Sequence, residues 1–191
     1  MERRKRSGGR TKKGIALIRF DAETRRVQRH YNKVASQYDN RLTGFLEKLL
    51  FGDGRSWVCS QARGEVLEIA IGTGSNLAHY PDDVRLTGVE LSPAMIEIAH
   101  RRARELGRKV DLRVGDTQAL DFEDESFEAV VCTLSLCTIP DDRKAVAEAR
   151  RVLRPGGRLL LLEHVRSPIP IVQVFQRVLD PWSCGFCLTW A

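Results

Sequence analysis

The residues of this sequence that could do chemistry are two glycines and three acids, which lie in or directly after apolar runs. Gly72 and Gly74 let the backbone turn tightly and approach a ligand at the start of a helix. Glu90 ends a second apolar run about 20 positions after Glu68, where an acid can accept hydrogen bonds from both hydroxyls of a ribose. Asp116 ends a third run, where it can meet an adenine amino group. Together these residues predict an adenosine-binding site.

The glycine spacing separates two cofactor classes that both contain adenosine. A dinucleotide site needs a third glycine three positions after the second, where a helix packs close to the pyrophosphate. This sequence has Leu77 at that position. S-adenosylmethionine has no pyrophosphate and does not require the third glycine, so the pattern favours it over NAD.

Alternating strand and helix patterns predict the elements that position these residues. Ser92-Pro93 is a typical helix start, and 154–157 (RPGG) is a typical chain break. The alternation predicts an α/β fold, a doubly wound Rossmann-like sheet that is mainly parallel. The predicted strands are 65–70, 84–89, 110–114, 127–134 and 158–162, and the predicted helices between them are 75–80, 94–106 and 141–153.

The chain divides into four parts around this sheet. We expect residues 1–20 to be a basic disordered arm, and 21–55 to be an N-terminal helical lid of two helices with a break at 38–40. Residues 56–166 are the cofactor-binding α/β core, and 167–191 are an amphipathic helix followed by a shortened segment. The amphipathic helix either packs on the fifth strand or lies on a membrane surface, and the first interpretation is favoured.

The basic charge of the chain is confined to its start. The formal net charge is +6, and residues 1–13 hold seven basic residues and one acid. The formal charges of the remaining residues therefore sum to zero. This distribution argues against a nucleic-acid-binding face on the folded body. A solvated arm is the favoured interpretation, and contact of the arm with anionic lipid or RNA stays open.

No segment has the pattern of a secretion signal or a membrane span. Residues 15–20 are too few and too charged for a signal sequence, and no run approaches the ~20 apolar residues of a span. Five scattered cysteines predict reduced thiols in a cytoplasmic protein. Cys184 and Cys187 have a redox or zinc spacing but no second ligand pair, so we predict no metal. Peripheral membrane contact through the arm or the C-terminal helix stays open.

A series of short segments follows the predicted strands: 67–74 (LEIAIGTG), 88–95 (GVELSPAM), 115–117 (GDT), 127–131 (FEAVV) and 151–160 (RVLRPGGRLL). In order and spacing they resemble the motifs of class I S-adenosylmethionine-dependent methyltransferases. The resemblance implies a Rossmann-like enzyme that uses S-adenosylmethionine as its cosubstrate.

Two narrower resemblances concern the methyl acceptor. Segments 131–137, 163–165 and 178–181 resemble the methyltransferase-like thiol methyltransferases that sit on membranes. Tyr31-Asn32 with Tyr38-Asp39 resembles the ubiquinone/menaquinone and phospholipid methyltransferases. They imply in-line transfer of a methyl group to a small or lipophilic acceptor: a thiol, a quinone or a lipid-like molecule. A catalytically weak or inert cofactor-binding module is the alternative, and an NAD-linked oxidoreductase is less favoured.

The resemblance also implies a role for each matching residue. The turn 72–74 and Glu68 would hold the methionine part of the cosubstrate, Glu90 its ribose and Asp116 its adenine edge. Thr133 would lie beside the methyl-bearing sulfur. The full expected cofactor-binding set is Tyr31, Tyr38, Glu68, Gly72, Thr73, Gly74, Glu90, Leu91, Met95, Asp116, Thr117 and Thr133.

His164 is the candidate catalytic base. It follows the fifth predicted strand, at the edge where an α/β sheet places its ligands, and could remove a proton from a thiol, hydroxyl or carbon acid. A structural pairing with Glu163 is the alternative interpretation.

The sequence departs from the family pattern at two places. Ala70 stands where the family often has another glycine, and we expect binding to survive because alanine is small. The fold usually has seven strands, but few residues follow the fifth one here. We therefore expect a sheet that lacks the last two strands and leaves the fifth at an open edge that something must cover.

Overall fold

A five-stranded parallel sheet forms the centre of the structure, a computed structural model that describes residues 20–39, 49 and 51–163. The neighbouring strands pair in parallel in the order β3-β2-β1-β4-β5, which confirms the predicted α/β fold. The strands are β1 (Glu65–Ile69), β2 (Arg85–Glu90), β3 (Val110–Val114), β4 (Phe127–Thr133) and β5 (Leu153–Leu162).

Each helix begins where the sequence offers a capping group or a turn. The Ser92 side chain accepts a hydrogen bond from Met95 N at 3.3 Å, with proline at the first helical position, as predicted. Asp21 caps the first helix by accepting from Thr24 N at 2.7 Å. The helices are α1 (Ala22–Tyr38), α2 (Gly54–Cys59), α3 (Pro93–Glu105) and α4 (Asp142–Val152), with a short 3₁₀ helix at Leu136–Thr138.

Helices cover both faces of the sheet. Successive residues of a strand point to opposite faces, so neighbouring residues pack against different helices. Val66 of β1 packs in one cluster with Val58 of α2 and Ile96 of α3. Leu67, the next residue, packs in a second cluster with Ala149 of α4. The central strands β1 and β4 are therefore almost completely buried, and the chain segments that follow them are held at fixed positions in the middle of the sheet.

Strand β5 begins earlier than predicted. It starts at Leu153, so the segment 154–157 lies inside the strand and does not separate it from the preceding helix. The pairing with β4 shifts register there, because Phe127 pairs with Leu153 while Ala129 pairs with Arg158. Among the described strands β5 lies at the edge, and an edge strand bonded on one side tolerates a proline and a bulge.

One further prediction about local structure was wrong, and one helix was missed. Residues 72–79 form successive turns and not the helix predicted at 75–80, with Leu77 N bonded to Gly74 O at 3.1 Å and His79 N to Asn76 O at 2.8 Å. The segment is too short to offset the cost of helix nucleation. Helix α2 was not predicted, because its three apolar residues are consecutive and six residues are too few to show a helical periodicity.

Several predictions concern residues outside those that the structure describes. These are the basic arm except for Phe20, the predicted second lid helix except for Leu49, His164, the C-terminal helix, Cys184 and Cys187. The expected loss of two strands concerns residues after 163 and stays a prediction. Within the described ranges no helix has the length and apolar character that a bilayer crossing requires.

Candidate cofactor site

A crevice opens at the carboxyl ends of β1 to β4, the edge at which α/β sheets bind their ligands. It contains about 570 Å³ of empty space, including the part open to solvent. Helix α1 forms the wall opposite the strands. The lining residues are Val27, Tyr31, Tyr38, Ala70, Gly72, Glu90, Leu91, Met95, Asp116, Thr117, Gln118, Leu134, Ser135, Thr138, Ile139 and Pro140.

The turn after β1 requires glycine at two positions. Gly72 and Gly74 have φ of +58° and +79°, in the left-handed region that side chains disfavour. A Cβ on Gly74 would also lie 2.7 Å from Leu77 Cδ1 and 3.3 Å from Ala99 Cβ. Leu77 occupies the position at which a dinucleotide site has its third glycine. Its side chain is fully buried and lies against the glycine turn.

Ala70 has the same unusual backbone conformation without being glycine. Its φ is +51°, and it lines the crevice directly before the glycine turn. For an L-residue this region costs about 1–2 kcal/mol relative to the right-handed one. The strain gives a physical reason why a glycine would suit this position.

Glu90, at the end of β2, connects the glycine turn to the start of α3. Its Oε2 accepts from Gly72 N at 3.1 Å and its Oε1 from Ser92 N at 2.8 Å. The side chain is buried, and this burial raises its pKa. A carboxylate can accept about four hydrogen bonds, so Glu90 retains capacity for hydroxyl donors of a ligand.

Asp116 lies at the next strand tip, where Gln118 holds it. Asp116 Oδ1 accepts from both the backbone N and the Nε2 of Gln118, each at 2.9 Å. Gln118 Nε2 also donates to Thr24 Oγ1 of α1 at 3.2 Å, and its Oε1 accepts from Asp141 N at 2.9 Å. Sequence reasoning missed Gln118, because its role depends on residues far away along the chain.

Helix α1 rests on the strand tips through polar contacts. Gln28 Nε2 donates to Leu91 O at 2.8 Å, and Asn32 Oδ1 accepts from Ser92 Oγ at 2.6 Å. Next to these contacts, the rings of Tyr31 and Tyr38 meet edge to face with centroids 6.1 Å apart. Directly after α1, Asp39 forms an ion pair with Arg102 at 2.8 Å. Arg102 also donates to Ser75 Oγ, next to the glycine turn, at 3.1 Å.

A buried polar cluster, which we call the Glu68 network, supports the strand side of the crevice. It consists of Glu68, Asn76, Tyr80, Thr133 and Arg55. Asn76 Nδ2 donates to Glu68 Oε1 at 2.7 Å and Tyr80 OH donates to Glu68 Oε2 at 2.9 Å. Burial raises the pKa of Glu68 to about 7, against the lowering effect of these hydrogen bonds and of Arg55.

Glu163 holds the loop after β4, which forms another part of the crevice wall. Its carboxylate accepts from Ser135 N at 3.1 Å and from Leu136 N at 3.2 Å. Leu134, which lines the crevice, has a φ of +53° and donates its N–H to Leu162 O at 2.7 Å. The end of β5 thus fixes the conformation of this loop.

The expected cofactor-binding residues fall into two groups. On the crevice wall lie Tyr31, Tyr38, Gly72, Glu90, Leu91, Met95, Asp116 and Thr117. Behind the wall lie Glu68, Thr73, Gly74 and Thr133, whose side chains or backbone support the turn and the strand tips. Their roles toward a ligand stay predictions, as does that of His164. Among the described residues, no three Asp, Glu, His or Cys side chains cluster as metal ligands would.

A family of known proteins matches the part of the chain that forms this crevice. The family description "Methyltransferase domain" matches residues 67–161. That stretch begins in β1, ends in β5 and includes the glycine turn, Glu90 and Asp116.

Three curated relatives match over a longer stretch. A ubiquinone/menaquinone biosynthesis C-methyltransferase of Paracoccus denitrificans is 32% identical, over 75% of this chain and 60% of its own length. A phosphatidylethanolamine N-methyltransferase of Cereibacter sphaeroides is 36% identical, over 65% of this chain and 66% of its own length. A thiol S-methyltransferase of Homo sapiens is 33% identical, over 82% of this chain and 67% of its own length. The matched part of this chain thus spans about two thirds of these relatives or less.

A solved structure shares the fold. A putative methyltransferase from Bacillus halodurans superposes with a TM-score of 0.63 at 25% sequence identity, over 71% of this chain and 63% of that one.

Proposed function

Because this chain belongs to the class I S-adenosylmethionine-dependent methyltransferase family, we propose that it binds S-adenosylmethionine in the crevice and transfers the methyl group to a small or lipophilic acceptor. The observation that carries the proposal is the position of Glu90. Its carboxylate lies on the crevice wall, is hydrogen-bonded to the glycine turn and stands one strand away from Asp116.

The crevice offers a suitable group for each part of the cosubstrate. Glu90 would accept hydrogen bonds from the ribose hydroxyls, and Asp116 with Thr117 would meet the adenine edge. Leu91 and Met95 line the same crevice and would pack against the adenine ring. The glycine turn would bring backbone N–H groups close to the methionine part.

The reaction demands alignment more than acid–base chemistry. A lone pair of the acceptor forms a bond to the methyl carbon while the carbon–sulfur bond breaks, and its electron pair stays on the sulfur of S-adenosylhomocysteine. Most of the acceleration can come from holding the two reactants in line. A thiol, hydroxyl or carbon acid must also lose a proton, for which His164 remains the proposed base.

The acceptor is proposed as a thiol, a quinone or a lipid-like molecule. The relatives' names include all three kinds of substrate. The crevice wall is partly apolar after β4, where Leu134, Ile139 and Pro140 line it, as does Tyr31 of α1. Such a wall suits a lipophilic group, and peripheral contact of a cytoplasmic protein with a membrane would supply one.

Helix α1 is proposed as a lid over the bound cosubstrate. Three of its residues are buried, and polar contacts from α1 and from Asp39 directly after it reach Leu91, Ser92, Arg102 and Gln118, which lie in or beside the crevice. An element with few buried apolar contacts can open at low cost, as entry of the cosubstrate would require.

Calorimetric titration with S-adenosylhomocysteine tests the binding proposal. We expect Glu90→Ala to lose about 1.5–3 kcal/mol of binding free energy, the range for a hydrogen bond to a charged group. Glu97→Ala, an exposed acid on α3, is the matched control and should bind like the original protein. Unchanged affinity in a folded Glu90→Ala protein would refute the ribose assignment.

Methyl transfer from radiolabelled S-adenosylmethionine then tests turnover. A thiol, a quinone and phospholipid vesicles would be offered as acceptors in parallel. Tight binding of S-adenosylhomocysteine without transfer to any acceptor would favour the inert cofactor-binding module instead.

A further inference from the structure

Helix α1 carries a row of basic residues on the side that faces solvent. Arg25, Arg29 and Lys33, which we call the basic row, lie four positions apart and are all exposed. At 3.6 residues per turn they fall within about 80° of the helix circumference. Val27 and Tyr31 line the crevice and come two positions after Arg25 and Arg29, about 200° around the helix. The basic row therefore lies on the side of α1 opposite to the one that lines the crevice.

Helix α1 itself does not cancel the charge of this row. It contains four basic residues and one acid, Glu23, which gives it a formal charge of +3. Arg29 and Lys33 form no ion pair with another described residue. Arg25 donates to the backbone oxygen of Phe20, which is neutral. The outward side of α1 thus keeps its positive charge.

The acids next to α1 have other partners or are balanced. Asp21 caps the helix by accepting from Thr24 N, and Asp39 forms its ion pair with Arg102. Helix α3, which packs against α1, exposes two basic and two acidic residues. The basic row therefore presents a positive field to solvent, which a partner of opposite charge would neutralise.

An anionic lipid surface fits this row better than a nucleic acid does. A charged membrane surface attracts each basic residue that a helix face brings near it, without requiring any specific contact. Binding of single-stranded nucleic acid relies in addition on aromatic side chains on which the bases stack. Among the exposed residues from 25 to 36 none is aromatic. Charge without stacking groups favours the lipid surface.

We propose that the basic row docks on an anionic membrane surface and places the crevice about one helix diameter, ~10 Å, from the lipid headgroups. This contact is separate from any contact through the basic arm or the C-terminal helix. The docking itself goes beyond the proposed methyl transfer, whereas its use in collecting a lipophilic acceptor rests on that function.

Sedimentation of the full chain with phospholipid vesicles measures the contact. The protein should bind vesicles of phosphatidylcholine with phosphatidylserine, and not vesicles of phosphatidylcholine alone. Near an anionic membrane each basic residue contributes roughly fivefold in affinity. Arg29→Glu reverses one charge and should weaken the binding at least about tenfold. It also places an acid four positions before Lys33, a spacing that supports the helix.

Arg143→Glu on α4 is the matched control. Arg143 is also exposed, its substitution changes the net charge by the same amount, and an acid in the first turn of α4 suits the helix dipole. Its vesicle binding should equal that of the original protein. Both variants should keep the original affinity for S-adenosylhomocysteine, because neither residue lines the crevice.

Three results would overturn the proposal. Failure of the original protein to bind phosphatidylserine vesicles would exclude the contact. Equal vesicle binding by Arg29→Glu and Arg143→Glu would assign it to another part of the chain. Binding of single-stranded RNA that Arg29→Glu abolishes, with vesicle binding unchanged, would assign the basic row to a nucleic acid.

The proposed function fails by a different observation. If the original protein bound phosphatidylserine vesicles through the basic row but did not bind S-adenosylhomocysteine, the methyltransferase proposal would be refuted and the docking on lipid would stand.

Discussion

The crevice has one wall made of strand tips and another made of helix α1, and the two walls keep their polar groups in different surroundings. On the strand side, Glu68, Asn76 and Thr133 are 2%, 1% and 6% exposed. On the α1 side, the Asp39 and Arg102 side chains of the ion pair are 32% and 29% exposed. Asn32 is also exposed to solvent.

This difference implies different mechanical roles for the two walls. A buried polar group that loses its partner cannot turn to water, so breaking the strand-side network is expensive. The solvent-exposed groups on the α1 side, Asp39 and Asn32, can exchange their partners for water, which lowers the cost of moving α1. The strand wall can therefore hold a ligand in a preformed geometry while α1 adjusts to it.

The strand wall should respond strongly to pH through Glu68. Its pKa is raised from 4.5 to about 7 in the folded protein, so the folded state binds a proton that the unfolded state has already lost between these values. The contribution to stability is complete below about pH 4.5 and disappears as pH rises through 7, a loss on the order of 3 kcal/mol.

Urea unfolding between pH 5 and 8 measures this dependence. Glu68→Gln cannot titrate, so its free energy of unfolding should fall less over this range than that of the original protein. Glu65→Gln on the same strand, where the acid is only half-buried, should keep the full dependence. An unchanged slope in Glu68→Gln would show that this carboxyl does not titrate in the range.

The α1 wall should affect ligand release more than folding. Asn32→Ala removes the hydrogen-bond acceptor for Ser92 Oγ and for Ala94 N. We expect this loss to weaken the docking of α1 on the strand tips by about 1 kcal/mol. S-adenosylhomocysteine should therefore dissociate about fivefold faster, as stopped-flow displacement would measure.

Lys33→Ala is the matched control for α1, because Lys33 is the next residue of the helix and is exposed. It should leave the dissociation rate unchanged. A rate for Asn32→Ala equal to that of the control would contradict the role of α1 as a lid.

Ala70, where the strand wall meets the glycine turn, should give the smallest effect. Ala70→Gly relieves the left-handed strain but adds freedom to the unfolded chain, so we expect between no change and about 1 kcal/mol of added stability. Ala147→Gly, in the exposed middle of α4, should instead lose about 1 kcal/mol. Thermal unfolding of both variants measures the contrast, and a similar loss in both would argue against strain at Ala70.

Much of the fold followed from local patterns. The bounds of β3 agree with the prediction, and those of β1, β2 and β4 agree within one residue. For the central strands β1 and β4 the reason is that buried strands have near-continuous apolar runs. The start of β5 was wrong, since an edge strand can absorb a proline-glycine segment as a bulge. The helix predicted at 75–80 was wrong because a start after the glycine turn and a stop at Pro81 mark the ends of a segment without showing that it is long enough to form a helix.

The sequence by itself determined the order of strands and turns, and with it the placement of Gly72, Glu90 and Asp116 at neighbouring strand tips. Only the tertiary structure decided that Glu68 turns into a buried network, that Arg55 reaches Thr133 and that Gln118 joins Asp116 to α1. Hydrophobic periodicity indicates which face of a helix or strand is buried, and it can be read from that element alone. The partner of a buried polar side chain depends instead on how separate elements dock, and no local pattern contains that information.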